Sequence, residues 1–111
     1  MKAKILTIKE PWATMIKEGL KTIETRTWKT KYRGKIFLHA SKSQKSNISG
    51  KIFATAEIID CRKMNKEDEK AACCEIYPNA HSWFLDKITK IEPIKAKGKL
   101  GLWETDLDIF K

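Results

Sequence analysis

Within the stretch GLKTIETRTW, residues 19–28, Lys21, Glu24 and Arg26 stand three and then two positions apart. In an extended chain, residues two apart share a face, so Glu24 and Arg26 emerge together with Cα atoms roughly 7 Å apart. Arg26 brings five planar donors for a carbonyl or phosphate. Glu24 brings an acceptor for an amino group such as the exocyclic amine of cytosine. Lys21 adds a compact cation at the joint just before them. The three could read the edge of a base or stabilise an anionic intermediate, and the Lys21/Glu24 pair could activate a water as a catalytic base. A plain ion pair on the wall of a sheet is the structural alternative. If the three line a hydrated pocket, water replaces any one of them and single alanine changes cost little stability.

Other candidates are dispersed along the chain. His39 and Ser41 share a strand face, and His39 titrates near neutral pH, although a lone strand histidine is commonly a hydrogen-bonded structural residue. Four tryptophans are core residues by default. Trp28, at period two from Arg26, is the best placed to stack on a base, with Trp83 second; such stacking contributes about 1–3 kcal/mol. Lys95, Lys97 and Lys99 alternate about Gly98. They would line one strand face and follow an RNA phosphate backbone, or else protect an exposed edge with charge.

These residues need elements to aim them. KILTI, residues 4–8, suits a strand. Pro11 fits a first helical turn, and Trp12, Met15, Ile16 and Leu20 recur at helical spacing as one apolar face. Gly19 closes that short helix. Thr22–Trp28 is β-branched and aromatic, predicting a strand with Glu24 and Arg26 on one face and Thr25 on the other. Strands are also predicted over 35–41, 51–60 and 81–91, and a last one after the turn at Gly98. The stretch 65–79 has helical composition, with Asn65 as N-cap, Glu67, Asp68 and Glu69 in the first turn, and Pro78 and Asn79 as the stop. The order β-α-β-β-β-α-β-β predicts an α+β domain whose short strands close into a barrel.

With 111 residues, one domain spanning 1–111 is expected. A formal charge of +9 attracts polyanions, or reflects a lysine-rich solvated surface. Only three of the 23 basic residues are arginine, so dedicated phosphate forks are few. No apolar run is long enough to span a membrane, no signal peptide is apparent, and no membrane partner is expected. The three cysteines, Cys61, Cys73 and Cys74, contain no CxxC and give neither a disulfide framework nor a zinc site. A reducing cytoplasm, no metal and no cofactor are the expectations.

Several segments together resemble the signature of ASCH domains in the PUA-like superfamily. They are Pro11-Trp12-Ala13, Gly19-x-Lys21-x-x-Glu24-x-Arg26-x-Trp28, the run GKIFLHAS over 34–41, Trp83-Phe84-Leu85, and Leu100-Gly101-Leu102-Trp103. The resemblance implies a small PUA-like β-barrel with two or three short helices at its rim and a pocket lined by Lys21, Glu24 and Arg26. It implies RNA or a modified nucleoside as partner, since relatives bind RNA or capture modified bases. It also implies a hydrolase alternative, since ASCH proteins include acetylcytidine amidohydrolases and ribonucleases. The amidohydrolases carry Lys-x-x-Thr, with threonine as nucleophile, where this chain has Glu24. Their third catalytic carboxylate follows the later helix, and Glu75 lies in a comparable segment. Binding and hydrolysis both stay open, and no feature points to a specific protein partner.

Overall fold

The computed structural model describes residues 2–106. Its strands are β1 (Lys2–Ile8), β2 (Ile23–Arg26), β3 (Gly34–Ala40), β4 (Lys51–Lys63), β5 (His81–Lys95) and β6 (Leu102–Asp106), with helices α1 (Trp12–Lys17) and α2 (Glu69–Ala72). All six strands form one mixed sheet in the order β2-β5-β4-β3-β1-β6. β1 runs parallel to β3, and every other neighbouring pair is antiparallel. The α+β class read from the sequence holds, but the barrel does not close. Among the described residues no ladder joins the outer strands β2 and β6.

The sheet nevertheless curls until its two ends approach. Arg26, at the end of β2, donates from Nη2 to the Thr7 carbonyl of β1 at 2.7 Å. A Cβ on Gly101, just before β6, would lie 3.4 Å from the Trp28 ring. Side chains rather than backbone bonds therefore bridge the seam, and a cleft lies beside it.

Both sheet faces bury apolar surface, which follows from the period-two alternation of the strands. Leu6, Ile8, Ile36, Leu38, Ile58 and Trp83 share the main core with Ala13 and Ile16 of α1. Ile5 and Ile52 pack on another cluster beside Trp103. A third, under α2, gathers Ile23, Met64, Ala72 and Ala80.

α1 ends in a Schellman turn. Leu20 N–H bonds the Met15 carbonyl at 2.9 Å and Gly19 N–H the Ile16 carbonyl at 3.1 Å, with Gly19 at φ +81° as that turn requires. Pro11 occupies the N-cap rather than the first turn. Capping falls to Glu10, whose carboxylate accepts from the Thr14 N–H at 2.7 Å and the Thr14 hydroxyl at 2.6 Å. Burial raises the Glu10 pKa, but bonds from Ser46 and Thr14 outweigh it and hold the carboxyl below its ordinary range.

The 65–79 segment is less helical than its composition suggests. Asn65 caps a 3-10 turn (Lys66–Asp68), as expected, but α2 stops at Ala72 because Cys73 turns left-handed at φ 57°. Asp68 holds the segment to the sheet. It takes both Arg62 nitrogens at 3.0 Å, the Asn65 N–H at 3.0 Å and the Ser82 hydroxyl at 2.8 Å. Burial raises its pKa, and these bonds more than reverse the effect. Among the described residues no helix is long and apolar enough to cross a membrane, and no cluster of three His, Cys, Asp or Glu could hold a metal ion.

Candidate functional site

The Schellman turn after α1 drops Lys21 into the interior, where its side chain is 1 % exposed. Its ammonium donates to the Ala72 carbonyl at the end of α2, one of the carbonyls a helix terminus leaves without an internal partner. Nζ also lies 3.6 Å from Oε1 of Glu24. Glu24 follows on β2, where pairing with Trp83 of β5 fixes its backbone. Its Oε2 accepts from Arg26 Nε at 3.0 Å and Nη2 at 2.7 Å. The three residues thus form one continuous chain of charge, Lys21–Glu24–Arg26, anchored by two backbone carbonyls, Ala72 and Thr7.

This chain forms the polar floor of a cleft of about 470 Å³, a size suited to a small organic ligand. Two atoms of the chain are open. Among the described residues, Glu24 Oε1 has no hydrogen bond, only the lysine at 3.6 Å, and Arg26 Nη1 has no partner. No buried side-chain nitrogen or oxygen there lacks a partner, so both atoms are reached by solvent. Glu24 and Arg26 both line the cleft, so a negatively charged acceptor and a planar donor belong to the same cavity. The expected hydrated pocket is present only in part, since Lys21 and Glu24 are themselves buried.

The walls include residues that the sequence did not single out. Trp12, 37 % exposed, lines the cleft. It departs from the expected core face of α1 because a six-residue helix buries only Ala13 and Ile16. Tyr77 and Cys74, from the stretch that was expected to be helical, line it as well. The Tyr77 hydroxyl donates to Thr25 Oγ1 at 2.9 Å. Thr25 lines the cleft alongside Glu24, although alternation placed it on the other face. β2 is an outer strand, and both Glu24 and Thr25 line the cavity. The only signals for these residues were the lone Pro11-Trp12 pair and the polar aromatic in CCEIYPN.

The remaining candidates fall elsewhere. Trp83 is wholly buried; its Nε1–H donates to the Trp28 carbonyl at 3.2 Å and its ring meets Trp28 edge-on at 4.8 Å. It pins the exit of β2 and does not line the cleft, nor does Trp28, which packs toward Gly101. Glu75 is exposed and does not line the cleft, leaving Glu24 as its one carboxylate among the described residues.

Ser41 lines the cleft and also a second groove of about 410 Å³, which holds His39, Lys97 and Lys99. His39 is buried with both ring nitrogens engaged. Nε2–H donates to the Ala96 carbonyl at 2.8 Å, and Nδ1 sits 3.3 Å from Thr7 Oγ1. The Trp103 N–H already donates to Thr7 at 2.9 Å, so the threonine proton is available to Nδ1 and the network fits a neutral ring. Burial lowers the His39 pKa and the nearby Lys42 lowers it further, against bonds to the backbone at Ala96 and Gly50. Lys95, Lys97 and Lys99 do not share a strand face, because β5 ends at Lys95 and the residues around Gly98 leave the ladder. Lys95 does not line the groove.

In sequence, the ASCH domain family model matches residues 6–95. No curated protein matches the chain. Among solved structures it is similar to crystal structures of ASCH from Zymomonas mobilis. The parent protein superposes with TM-score 0.65 at 15% identity, over 84% of this chain and 73% of that one. A mutant of that protein with serine changed to alanine gives TM-score 0.64 at 12% identity, over 94% and 88%. A mutant with tyrosine changed to phenylalanine gives 0.61 at 14%, over 86% and 76%. At these identities the structures speak for the fold, and the family match carries the assignment: the chain belongs to the ASCH domain family of the PUA-like superfamily.

Proposed function

We propose that the cleft binds a nucleobase, presented by RNA or by a modified nucleoside, through Glu24 and Arg26, with Lys21 holding Glu24 in place. The observation that carries this reading is the pair of open atoms, Glu24 Oε1 and Arg26 Nη1, on otherwise saturated side chains. A charged acceptor beside a planar donor complements the amino and carbonyl edge of a base. The polar floor is paired with Trp12, whose exposed ring offers a stacking face. ASCH domains as a family are associated with RNA, and the charge of +9 favours a polyanion.

Hydrolysis is the second reading. Its support is that Glu24 Oε1 is open to a water while Lys21 stands 3.6 Å away, and that the Thr25 hydroxyl lines the same cavity. Against it, the Lys21 ammonium is already committed to the Ala72 carbonyl and to Glu24, and Thr25 is held by Tyr77. Binding without turnover is therefore the conclusion. Incubating the protein with a panel of modified nucleosides and short RNAs, and reading retained ligand and product by mass spectrometry, tests it. Retention without chemical change supports binding, turnover selects the hydrolase, and neither removes both.

A further inference from the structure

The second groove adjoins the first: both are lined by Thr7, Ser41 and Leu100. Its character is different. Lys42, Lys97 and Lys99 line it with no carboxylate, and Lys42 and Lys97 make no ion pair among the described residues. Ser43 adds a free donor. Its N–H donates to Ser41 Oγ at 3.1 Å and the Ser41 hydroxyl donates to Ser43 Oγ at 3.1 Å, so the Ser43 proton is left for a ligand.

The groove is also held in shape. The segment carrying Lys97 and Lys99 is fixed by the His39–Ala96 bond and by Gly98, whose position leaves a Cβ only 2.4 Å from the His39 ring. Lys42 runs over Gly50, where a Cβ would stand 2.6 Å from its Cε. A side chain at Gly98 would collide with the His39 ring that anchors this segment, and one at Gly50 would displace the Lys42 side chain. Cations gathered without a counter-ion, beside hydroxyl donors, form a receptor for an oxyanion.

We infer that this groove is a phosphate subsite, and that the preferred ligand of the neighbouring cleft is a nucleotide whose phosphate lies across Ser41 on Lys42, Lys97 and Ser43. The inference rests on the base-binding reading and deepens it: the ligand class is a phosphorylated nucleoside, free or within a strand, rather than a bare nucleoside.

The test compares the four common ribonucleosides with their 5′- and 3′-monophosphates and with dinucleoside monophosphates, by calorimetric titration at low salt. At least one monophosphate is expected to bind about tenfold or more tightly than its nucleoside. Inorganic phosphate is expected to compete with the monophosphate and not with the nucleoside. In the Lys42→Ala/Lys97→Ala double variant the affinity ratio should fall to about one, while Lys66→Ala, exposed on the far 3-10 turn, should leave it unchanged. Thermal melts establish that each variant is folded. Dinucleoside monophosphates binding as tightly as mononucleotides identify strand phosphate as the source, and preference for the mononucleotide identifies a free nucleotide. Nucleosides that bind as well as all their phosphates overturn the subsite and leave the base cleft standing. Monophosphates that bind through Lys42 and Lys97 while nucleosides do not bind support the groove and overturn the base cleft. Binding of nothing overturns both.

Discussion

Changing Glu24 to Gln preserves its shape and removes its charge, which isolates the part this carboxylate plays in the fold. The Lys21 side chain is 1 % exposed and has two partners, Ala72 and Glu24. With Gln at 24 its only anion is gone, and the backbone carbonyl alone faces a buried ammonium. Removing one member of a buried ion pair costs about 3–5 kcal/mol. Arg26 adds little to this, because its side chain is 18 % exposed and can turn to water. At about 4 °C per kcal/mol for a domain of this size, Tm should drop by about 12–20 °C. Adding Lys21→Met removes the stranded cation, and the double variant should regain most of the loss, since an apolar replacement of a buried pair is often near neutral. Thermal melts and denaturant titrations of the parent, both single variants and the double variant form a double-mutant cycle, with an expected coupling of about 2 kcal/mol or more. A Tm for Glu24→Gln within about 3 °C of the parent, or simple additivity in the cycle, would refute the buried chain and restore the hydrated pocket expected from the sequence.

Stability should also depend on pH in two windows. His39 has a folded pKa below its ordinary 6.5, so the unfolded chain takes up the proton first; stability is full above about that pH and declines as pH falls through it, a slope that His39→Gln should remove. Glu10 and Asp68 are lowered from 4.5 and 3.8, so their contribution is present above those values and lost as pH falls through the lower folded ones; melts from pH 8 to 3 that show no decline would contradict both. Gly98→Ala drives a Cβ into the His39 ring at 2.4 Å, and denaturant unfolding should report a loss of about 1–3 kcal/mol. If RNA binding neutralises three to five phosphates on lysines, the log–log salt slope on single strands should be about −2 to −3.5, and a flat response in filter binding would exclude a backbone-binding surface. Acetylcytidine should leave no acyl adduct on the protein, because residue 24 is a carboxylate; an acyl-Thr25 peptide in mass spectra would contradict this.

Much of the scaffold was legible because it depends on local rules. Gly19 after a helical run, Asn65 before three acidic residues, and β-branched stretches each specify their own backbone. The spacing of Lys21, Glu24 and Arg26 was legible for the same reason, since a strand and its entry turn set their direction. What was hidden depends on contacts distant in sequence. Trp83 looked available for stacking, but its pairing with β2 places it inside. Trp12 looked like core, but the short α1 has room to bury only Ala13 and Ile16. Tyr77 reaches the cleft because Cys73 breaks α2 early, through a left-handed residue that the helical composition did not announce. Closure of the sheet was over-read. Strand count suggests a barrel, but whether the outer strands pair or leave a side-chain-bridged seam is decided by curl, and the candidate site lies at that seam.

In the proposed function, Arg26 presents an open donor to a ligand while adding little to stability. The direct measurement is a titration of Arg26→Ala beside the parent, using a nucleoside or short RNA that the parent retains, with a melt of each protein on the same sample. Tm is expected within a few degrees of the parent, with a loss of affinity of about tenfold or more, as expected for one charge-assisted hydrogen bond. A variant that binds as tightly as the parent, or that unfolds without Arg26, would contradict it and leave the Lys21–Glu24–Arg26 chain as an ion network holding the sheet's seam.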